Sequence, residues 1–312
     1  MMAHLFKFIS LHARSCLVAG LVIGLLLPSV GQAMVPWLPA MVAVLLTITA
    51  LRIGHTALRG ALSDLRWGLG AVVVLQLVLP ITCMGALVIA GLADTPAGLA
   101  LVLVTATPAI TGSPNLALLL GQDAGRMMQI MILGTAVFPV TVIPVLLLSP
   151  QIGALGDVAR SSGVTLAVII GATALGFIWR ARAYPAPTPT QLTTLDGASV
   201  LAFSVIAIGL VAPLNAALRA TPDVVGLWTL LSFGICFGLQ AATLLIVRLT
   251  RLRPLAGPLA IGAGNRNIAL FLVALPQQTL APLMIFIACW QLPMYLTPML
   301  LPKLYQKALK NG

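Results

Sequence analysis

The chain contains no glutamate, and charged residues make up only 7% of its 312 positions. A soluble globular domain carries about 25% charged residues, so this composition cannot supply a water-exposed shell. Histidine occurs only three times, with no HExxH motif and no close pair of aspartates. These shortages exclude an ordinary soluble fold. They also argue against an intramembrane enzyme, which needs acids, metal ligands or an activated nucleophile at membrane depth.

Cysteine is scarce as well, and the four copies are poorly placed for a disulfide or a metal site. Cys16, Cys83, Cys236 and Cys289 lie singly inside apolar stretches, without a CxxC spacing, so we interpret them as small apolar residues of helices. The net charge of +11 comes from basic residues scattered singly between apolar runs. That pattern is not typical of a nucleic-acid-binding face, and we expect no nucleic-acid partner.

Apolar residues are abundant, at 60% of the chain. A transmembrane helix needs about 20 mostly apolar residues to cross the hydrocarbon core of a bilayer. The sequence therefore predicts an all-α, polytopic membrane protein embedded in the lipid bilayer. Ten spans are predicted, near residues 15–33, 36–52, 67–91, 97–120, 126–149, 160–179, 193–215, 224–247, 255–275 and 279–301.

Basic residues segregate to alternate loops when the N-terminus is placed inside, as expected for cytoplasmic loops. Only Arg160 and Arg219 fall outside, and only Arg266 lies within a span. The pattern predicts an inner (plasma) membrane protein with both termini cytoplasmic, whose first span is retained rather than cleaved as a signal peptide. The fourteen inside residues are Lys7, Arg14, Arg52, Arg59, Arg66, Arg126, Arg180, Arg182, Arg248, Arg251, Arg253, Lys303, Lys307 and Lys310.

An internal repeat relates the two halves of the chain. Residues 112–120 (GSPNLALLL) align with residues 264–272 (GNRNIALFL) at an offset of 152, with five of nine positions identical. This alignment places span four on span nine and predicts inverted five-helix halves, 1–152 and 153–312. Inverted repeats with helices interrupted at corresponding positions indicate the binding site of a secondary transporter.

Residues that disfavour a helix occur inside both repeated spans. Pro108 and Pro114 lack the backbone N–H of a regular helix, and Gly264 adopts non-helical dihedrals at little cost. We therefore expect spans four and nine to be broken. Asn115 and Asn267 are suited to cap the second half-helix of each pair.

Arg266 falls inside the predicted break of span nine. A lone charge at membrane depth costs several kcal/mol, and all six aspartates lie near the ends of the predicted spans or in loops. Arg266 is expected to bind backbone carbonyls, asparagine side chains or a bound anion. The predicted substrate site comprises Arg266, Asn115, Asn265, Asn267, Thr111 and Ser113, with Gln76 and Gln291 as weaker candidates.

Three motifs, residues 108–115 (PAITGSPN), 121–123 (GQD) and 262–267 (GAGNRN), resemble those of the bile acid:sodium symporter family in its bacterial ten-helix form. The resemblance covers essentially the whole chain. It implies a core of spans 3–5 and 8–10 that moves against a panel of spans 1, 2, 6 and 7. It also implies organic anions as substrates and two sodium ions bound where spans four and nine cross and in the following span.

The chain departs from that family pattern at the sodium ligands. Gly262 replaces a glutamate and Arg266 replaces a glutamine, while Met127 and Met131 stand where hydroxyl residues are expected. Thioethers are poor ligands for a hard cation. We expect an alternating-access carrier of a small organic anion, in which Arg266 replaces one or both sodium ions, with Ser113 and Asn115 as residual sodium ligands. A sodium-dependent symporter and a channel are the alternatives, and the anion, the transport direction, the coupling ion and the oligomeric state stay open.

Overall fold

The structure is a computed structural model that describes residues 2–149, 155–275 and 277–310. Across these ranges every regular element is a helix, apart from one isolated antiparallel β-bridge. The all-α prediction is confirmed. The predicted boundary between the two halves, at residues 152 and 153, lies outside the described residues.

The elements before residue 149 include one broken span and one π-helical segment. Span four is divided between α7 and α8, and residues 74–78 of span three form a π-helix. The helices are α1 (Met2–Leu11), α2 (Ala13–Leu26), α3 (Pro28–Met34), α4 (Leu38–Ser63), α5 (Leu65–Val73), α6 (Leu79–Ile89), α7 (Pro96–Ala106), α8 (Ser113–Leu119) and α9 (Ala124–Leu148).

The elements after residue 154 begin with three long helices and end with shorter ones. Span nine is divided, because α13 is followed by a 3-10 turn at Ile268–Leu270 before α14 begins. The helices are α10 (Leu155–Ala183), α11 (Pro189–Ala220), α12 (Pro222–Val247), α13 (Ala256–Gly264), α14 (Phe271–Ala274), α15 (Gln277–Leu280), α16 (Met284–Leu300) and α17 (Pro302–Lys310).

Six helical stretches of the described chain are long and apolar enough to cross a membrane, or seven if the bent pair His4–Leu11 and Ser15–Leu26 forms one span. Their outer surface is apolar, with Ile89 90% and Leu230 71% exposed, as expected for side chains that face lipid. The chain thus has the helices of a membrane protein, and the count of ten stays a prediction. The six are Pro28–Gly54, Leu65–Ile89, Ala124–Leu148, Pro189–Ala220, Pro222–Val247 and Ala281–Leu300.

Two predicted spans differ in detail from the observed helices. Span one was expected to run through residues 15–33, but α2 ends at Leu26 and α3 begins at Pro28. Proline lacks an N–H and favours the first position of a new helix. Span two continues beyond residue 52 to Ser63, with a kink at Gly54, where φ is 69° and ψ is 171°.

The long helices pack in two groups. In the first, α11 lies against α2, α3 and α4, and α4 lies against α10. In the second, α12 packs on α13 and α16, while α9 packs on α5, α8 and α13. The groups meet where α16 contacts α11 and where α9 contacts α10 and α4.

Close contact between α2 and α11 depends on glycine. A Cβ atom at Gly20 would lie only 2.5 Å from the carbonyl oxygen of Ser204. Small residues let backbones approach in this way in membrane helices. We expect Gly20→Ala to lower the thermal midpoint by several degrees, since the helices must move apart. Heating the detergent-purified protein and measuring the folded fraction by size-exclusion chromatography tests this.

Gly85→Ala is the matched control, because a Cβ at Gly85 in α6 meets no atom within 4 Å. That variant should keep the wild-type midpoint or exceed it, since alanine favours helix more than glycine. Equal midpoints for the two variants would contradict the close-contact interpretation.

Candidate functional site

Predicted spans four and nine are both interrupted in the structure, and the two interruptions are hydrogen-bonded to each other. α7 ends at Ala106 and α8 begins at Ser113, while α13 ends at Gly264 and the next helical turn begins at Ile268. The N–H of Ile110 donates to the carbonyl of Asn265 at 2.9 Å, and the N–H of Asn267 donates to the carbonyl of Pro108 at 2.9 Å. We call residues 107–112 and 265–267 the paired break.

The paired break solves the hydrogen-bonding problem that each broken helix would have alone. Unwound backbone has no water partners in hydrocarbon, so it is tolerated only when it is buried in protein or lines a wet cavity. Ala109 lies opposite Arg266 in an antiparallel bridge, and Ala109 is 2% exposed. Each break therefore supplies the donors and acceptors that the other lacks.

The Arg266 side chain extends this pairing to a third element. Its Nε donates to the carbonyl of Ala263 at 2.9 Å, one Nη to that of Thr107 at 2.7 Å and the other to that of Leu75 at 2.9 Å. The residue is 1% exposed. Of the three partners expected from sequence, backbone carbonyls are the ones found in the described structure.

Each of the three carbonyls lacks its ordinary helical partner. In the π-helical segment the N–H of Leu79 donates to Val74, so the next donor in register, for the carbonyl of Leu75, falls on Pro80, which has no N–H. The N–H of Asn267, four residues after Ala263, donates to Pro108 instead. Thr107 is extended, with φ −73° and ψ 155°. The guanidinium therefore binds three carbonyl oxygens that have no helical N–H donor. The π-helix and Pro80 free that of Leu75, and the two breaks free those of Thr107 and Ala263.

Large side chains of the surrounding helices seal the paired break. Trp290 of α16 is fully buried and donates from Nε1 to the carbonyl of Arg266 at 3.1 Å. Ile110, Ile268 and Phe271 belong to the same buried cluster as Trp290. The paired break is therefore stabilised both by a hydrogen bond to its backbone and by apolar packing of its side chains.

Asn265 is committed to a buried polar network rather than to a cavity. Its Oδ1 lies 3.1 Å from the Thr297 hydroxyl, and its Nδ2 donates to the carbonyl of Ile261 at 3.3 Å. Gln240 donates to Thr297 and accepts from the Tyr305 hydroxyl at 2.7 Å. The network joins the paired break to α17, and Asn265 is a positioning residue within it.

Thr111 and Asn115 do face open space. They line a cavity of about 140 Å³, the central cavity, which lies between α2, α4 and α11 on one side and α8, α9 and α16 on the other. Asn115 is exposed and Thr111 is half-buried. These two candidates are therefore placed where a small solute in the cavity can contact them.

Arg266 and Asn267 border a second, smaller cavity, the crossing cavity. Its volume is about 20 Å³, room for about one water molecule. Val42 and Leu210 of the first helix group close its other side, and Gln291 also lines it. Gln76 instead accepts a hydrogen bond from the Thr141 hydroxyl at 3.0 Å.

The sodium ions that the family resemblance implies do not fit the residues present. A Cβ at Gly262 would meet Leu75 Cδ1 at 3.3 Å and Met127 Cε at 3.5 Å, which are carbon atoms and not ligands. Arg266 places a positive charge at the paired break, bound to the carbonyls of Ala263, Thr107 and Leu75, and like charges repel at short range. The Ser113 hydroxyl is buried without a hydrogen-bond partner among the described atoms, and one hydroxyl is too few for a cation site.

Two expectations from the repeat need correction. Asn115 does not cap α8, because that helix begins two residues earlier, with Pro114 fitting its first turn. Asn267 precedes the 3-10 turn but makes no side-chain capping bond.

The offset of 152 aligns Asn265, in the second break, with Ser113, which is already helical. The two breaks therefore do not lie at equivalent positions of the sequence repeat. The inverted repeat stays a prediction.

Sequence reasoning missed several residues that shape the site. The π-helical segment could have been suspected from Pro80 within span three, whereas the contact of Trp290 with the paired break had no local signal. Arg52 was assigned to a cytoplasmic loop and Asp196 was not singled out, yet both line the central cavity. Their ion pair joins α4 to α11.

No protein-family model matches the chain, and no curated protein matches it either. The resemblance to the bile acid:sodium symporter family therefore depends on the three motifs at residues 108–115, 121–123 and 262–267.

The carbonyl contacts of Arg266 predict a large effect of its removal on stability. Arg266→Met leaves three buried carbonyls unsatisfied, at about 1–3 kcal/mol each, which should exceed the gain from no longer burying a charge. Arg266→Lys should be intermediate, since one ammonium cannot reach all three oxygens in the guanidinium geometry. Thermal unfolding in detergent measures both.

Gln76→Ala is the control, because Gln76 accepts one buried hydrogen bond, worth about 1 kcal/mol. A midpoint for Arg266→Met as high as that of Gln76→Ala would show that the carbonyl contacts contribute little.

Proposed function

We propose that the chain is a secondary transporter that carries a small organic anion across the inner membrane by alternating access. The observation that carries this proposal is the paired break, in which two interrupted helices bind each other around a buried guanidinium. Interrupted helices near the bilayer midplane are the usual binding site of secondary transporters.

The two helix groups support a division into moving parts. The group around the paired break, α5–α9 with α12–α16, corresponds to the core that the family resemblance implies. The group of α2, α4, α10 and α11 corresponds to the panel. The central cavity and the crossing cavity both lie between them, as a site that is exposed alternately to the two sides requires.

The proposed topology has ten spans in two inverted halves, with both termini in the cytoplasm. On this topology Arg52 and Asp196 lie near the cytoplasmic side, so the central cavity corresponds to an inward-facing state. Residues 15–33 supply the first span, and α1 meets α2 at an angle of 88°.

Arg266 serves in this mechanism as a fixed positive charge where sodium-dependent relatives bind sodium. It attracts the anion electrostatically, and its position does not depend on an ion concentration. Three of its five N–H groups are occupied by carbonyls, while Asn267 and Gln291 share the crossing cavity with it. Transport is therefore uncoupled from sodium and proceeds by exchange or with another ion.

Counterflow in proteoliposomes tests the carrier mechanism. A thermal-shift screen of carboxylates and sulfonates selects the anion, which is then loaded inside at high concentration with a labelled trace outside. We expect saturable uptake of the label, because a carrier exchanges bound substrate across the membrane. Flux that rises linearly with concentration and shows no counterflow would indicate a channel instead.

Replacing sodium with choline in the same assay tests the role assigned to Arg266. Uptake should change less than about twofold, since no sodium ion is needed to complete the site. Strict dependence on sodium would overturn the fixed-charge mechanism while leaving the carrier mechanism intact.

A further inference from the structure

An ion pair between Arg52 and Asp196 lines the central cavity. Arg52 Nε lies 2.7 Å from Asp196 Oδ1, and one Nη of Arg52 lies 3.4 Å from Oδ2. The guanidinium thus holds the carboxylate through two of its nitrogen atoms. The side chains are 31% and 27% exposed, so both reach the cavity from partly buried positions.

These two residues are the ionised groups among the described side chains that line the cavity. Most of the remaining lining is apolar, including Leu17, Phe203 and Met294. An organic anion in this cavity therefore meets one cation, Arg52, and that cation already binds a carboxylate.

The backbone at Arg52 is held in place by a second arginine. Arg180 of α10 donates from one Nη to the carbonyl of Leu51 at 3.0 Å and lies 3.5 Å from that of Arg52. The kink at Gly54 interrupts the helix there, and a Cβ at Gly54 would lie 3.2 Å from the Arg180 guanidinium. The backbone that carries the Arg52 side chain is therefore fixed in position beside the cavity.

Arg180 also gives the region an excess of positive charge. It is 5% exposed, and no acidic partner is present for it among the residues that the structure describes. The cluster of two arginines and one aspartate therefore carries a net charge of +1 beside the cavity. Such a field raises the local concentration of anions.

We propose that Arg52 recognises the carboxylate of the transported anion and that Asp196 occupies the guanidinium until the substrate displaces it. This inference depends on the proposed function. A guanidinium matches a planar carboxylate with two parallel hydrogen bonds, and Asp196 marks the place of that carboxylate. Exchange of carboxylates is feasible because partly exposed ion pairs are weak.

Binding of 4-phenylbutyrate to the detergent-purified protein, measured by isothermal titration, tests the proposal. The uncharged 4-phenylbutyramide serves as the reference, since it has the same body without the charge. We expect the wild type to prefer the acid. Asp196→Asn should lower the dissociation constant of the acid by about tenfold, a free-energy change of about 1.4 kcal/mol, because the competing carboxylate is gone. Arg52→Gln should bind acid and amide equally.

Arg126 and Asp64 provide a matched control pair. They form an ion pair of the same length, 2.7 Å, with 34% and 46% exposure, but neither lines the central cavity. Arg126→Gln and Asp64→Asn should leave the dissociation constant of 4-phenylbutyrate within about twofold of the wild type.

Three results would overturn the proposal: no preference of the wild type for the acid, a preference that survives Arg52→Gln, or unchanged or weaker binding in Asp196→Asn. The last is expected if the pair only fastens α4 to α11.

The double variant Arg52→Gln/Asp196→Asn replaces the pair by neutral amides and separates an effect on folding from an effect on binding. It should unfold at the same temperature as the wild type and show no preference for the acid. Counterflow that persists in Arg52→Gln would defeat this inference alone, whereas its absence in the wild type would defeat the proposed function.

Discussion

A guanidinium with no acidic partner among the described residues is buried among three carbonyl oxygens, and the arrangement of the site depends on that contact. In hydrocarbon the oxygen atoms left by a broken helix have no water to bind. A charged donor also loses its hydration there and needs partners in exchange. Arg266 and the carbonyls of Leu75, Thr107 and Ala263 satisfy each other. Neither the breaks nor the buried charge is readily tolerated alone.

The same contact fixes three separate parts of the chain relative to one another. Leu75 lies in the π-helical segment, Thr107 follows α7 and Ala263 lies in α13. Trp290 of α16 donates to the backbone of Arg266. The Asn265 network adds α12 and α17 through Gln240 and Tyr305. Relative motion within this group would break several buried hydrogen bonds at once. Between this group and α2, α4 and α11 lie the central cavity and the crossing cavity.

The all-helical class and the long apolar helices were predictable from composition, because a chain with so few charges and such long apolar runs cannot form a water-exposed shell. The breaks were predictable as well, because proline and glycine act locally at Pro108, Pro114 and Gly264. What could not be predicted is which carbonyls Arg266 binds, because Leu75 lies 191 residues away and becomes available only through the π-helical segment. The prediction that Asn115 caps α8 was wrong. Proline favours the first turn of a helix, so α8 begins at Ser113, with Pro114 in its first turn and Asn115 already inside the helix.

Arg266 and Arg52, the two arginines that line the cavities, differ in whether a solute can displace their hydrogen-bond partners. Arg266 is fully buried, and its carbonyl partners belong to the backbone, so no solute can displace them without unfolding the paired break. The partner of Arg52 is a side chain on another helix, partly exposed to the cavity, and a side chain can rotate away. In the proposed transport cycle, a fixed cation holds the broken helices in place and maintains a positive potential at every stage. An exchangeable cation can bind and release an anion in each cycle, and binding followed by release is what a carrier requires of its recognition residue.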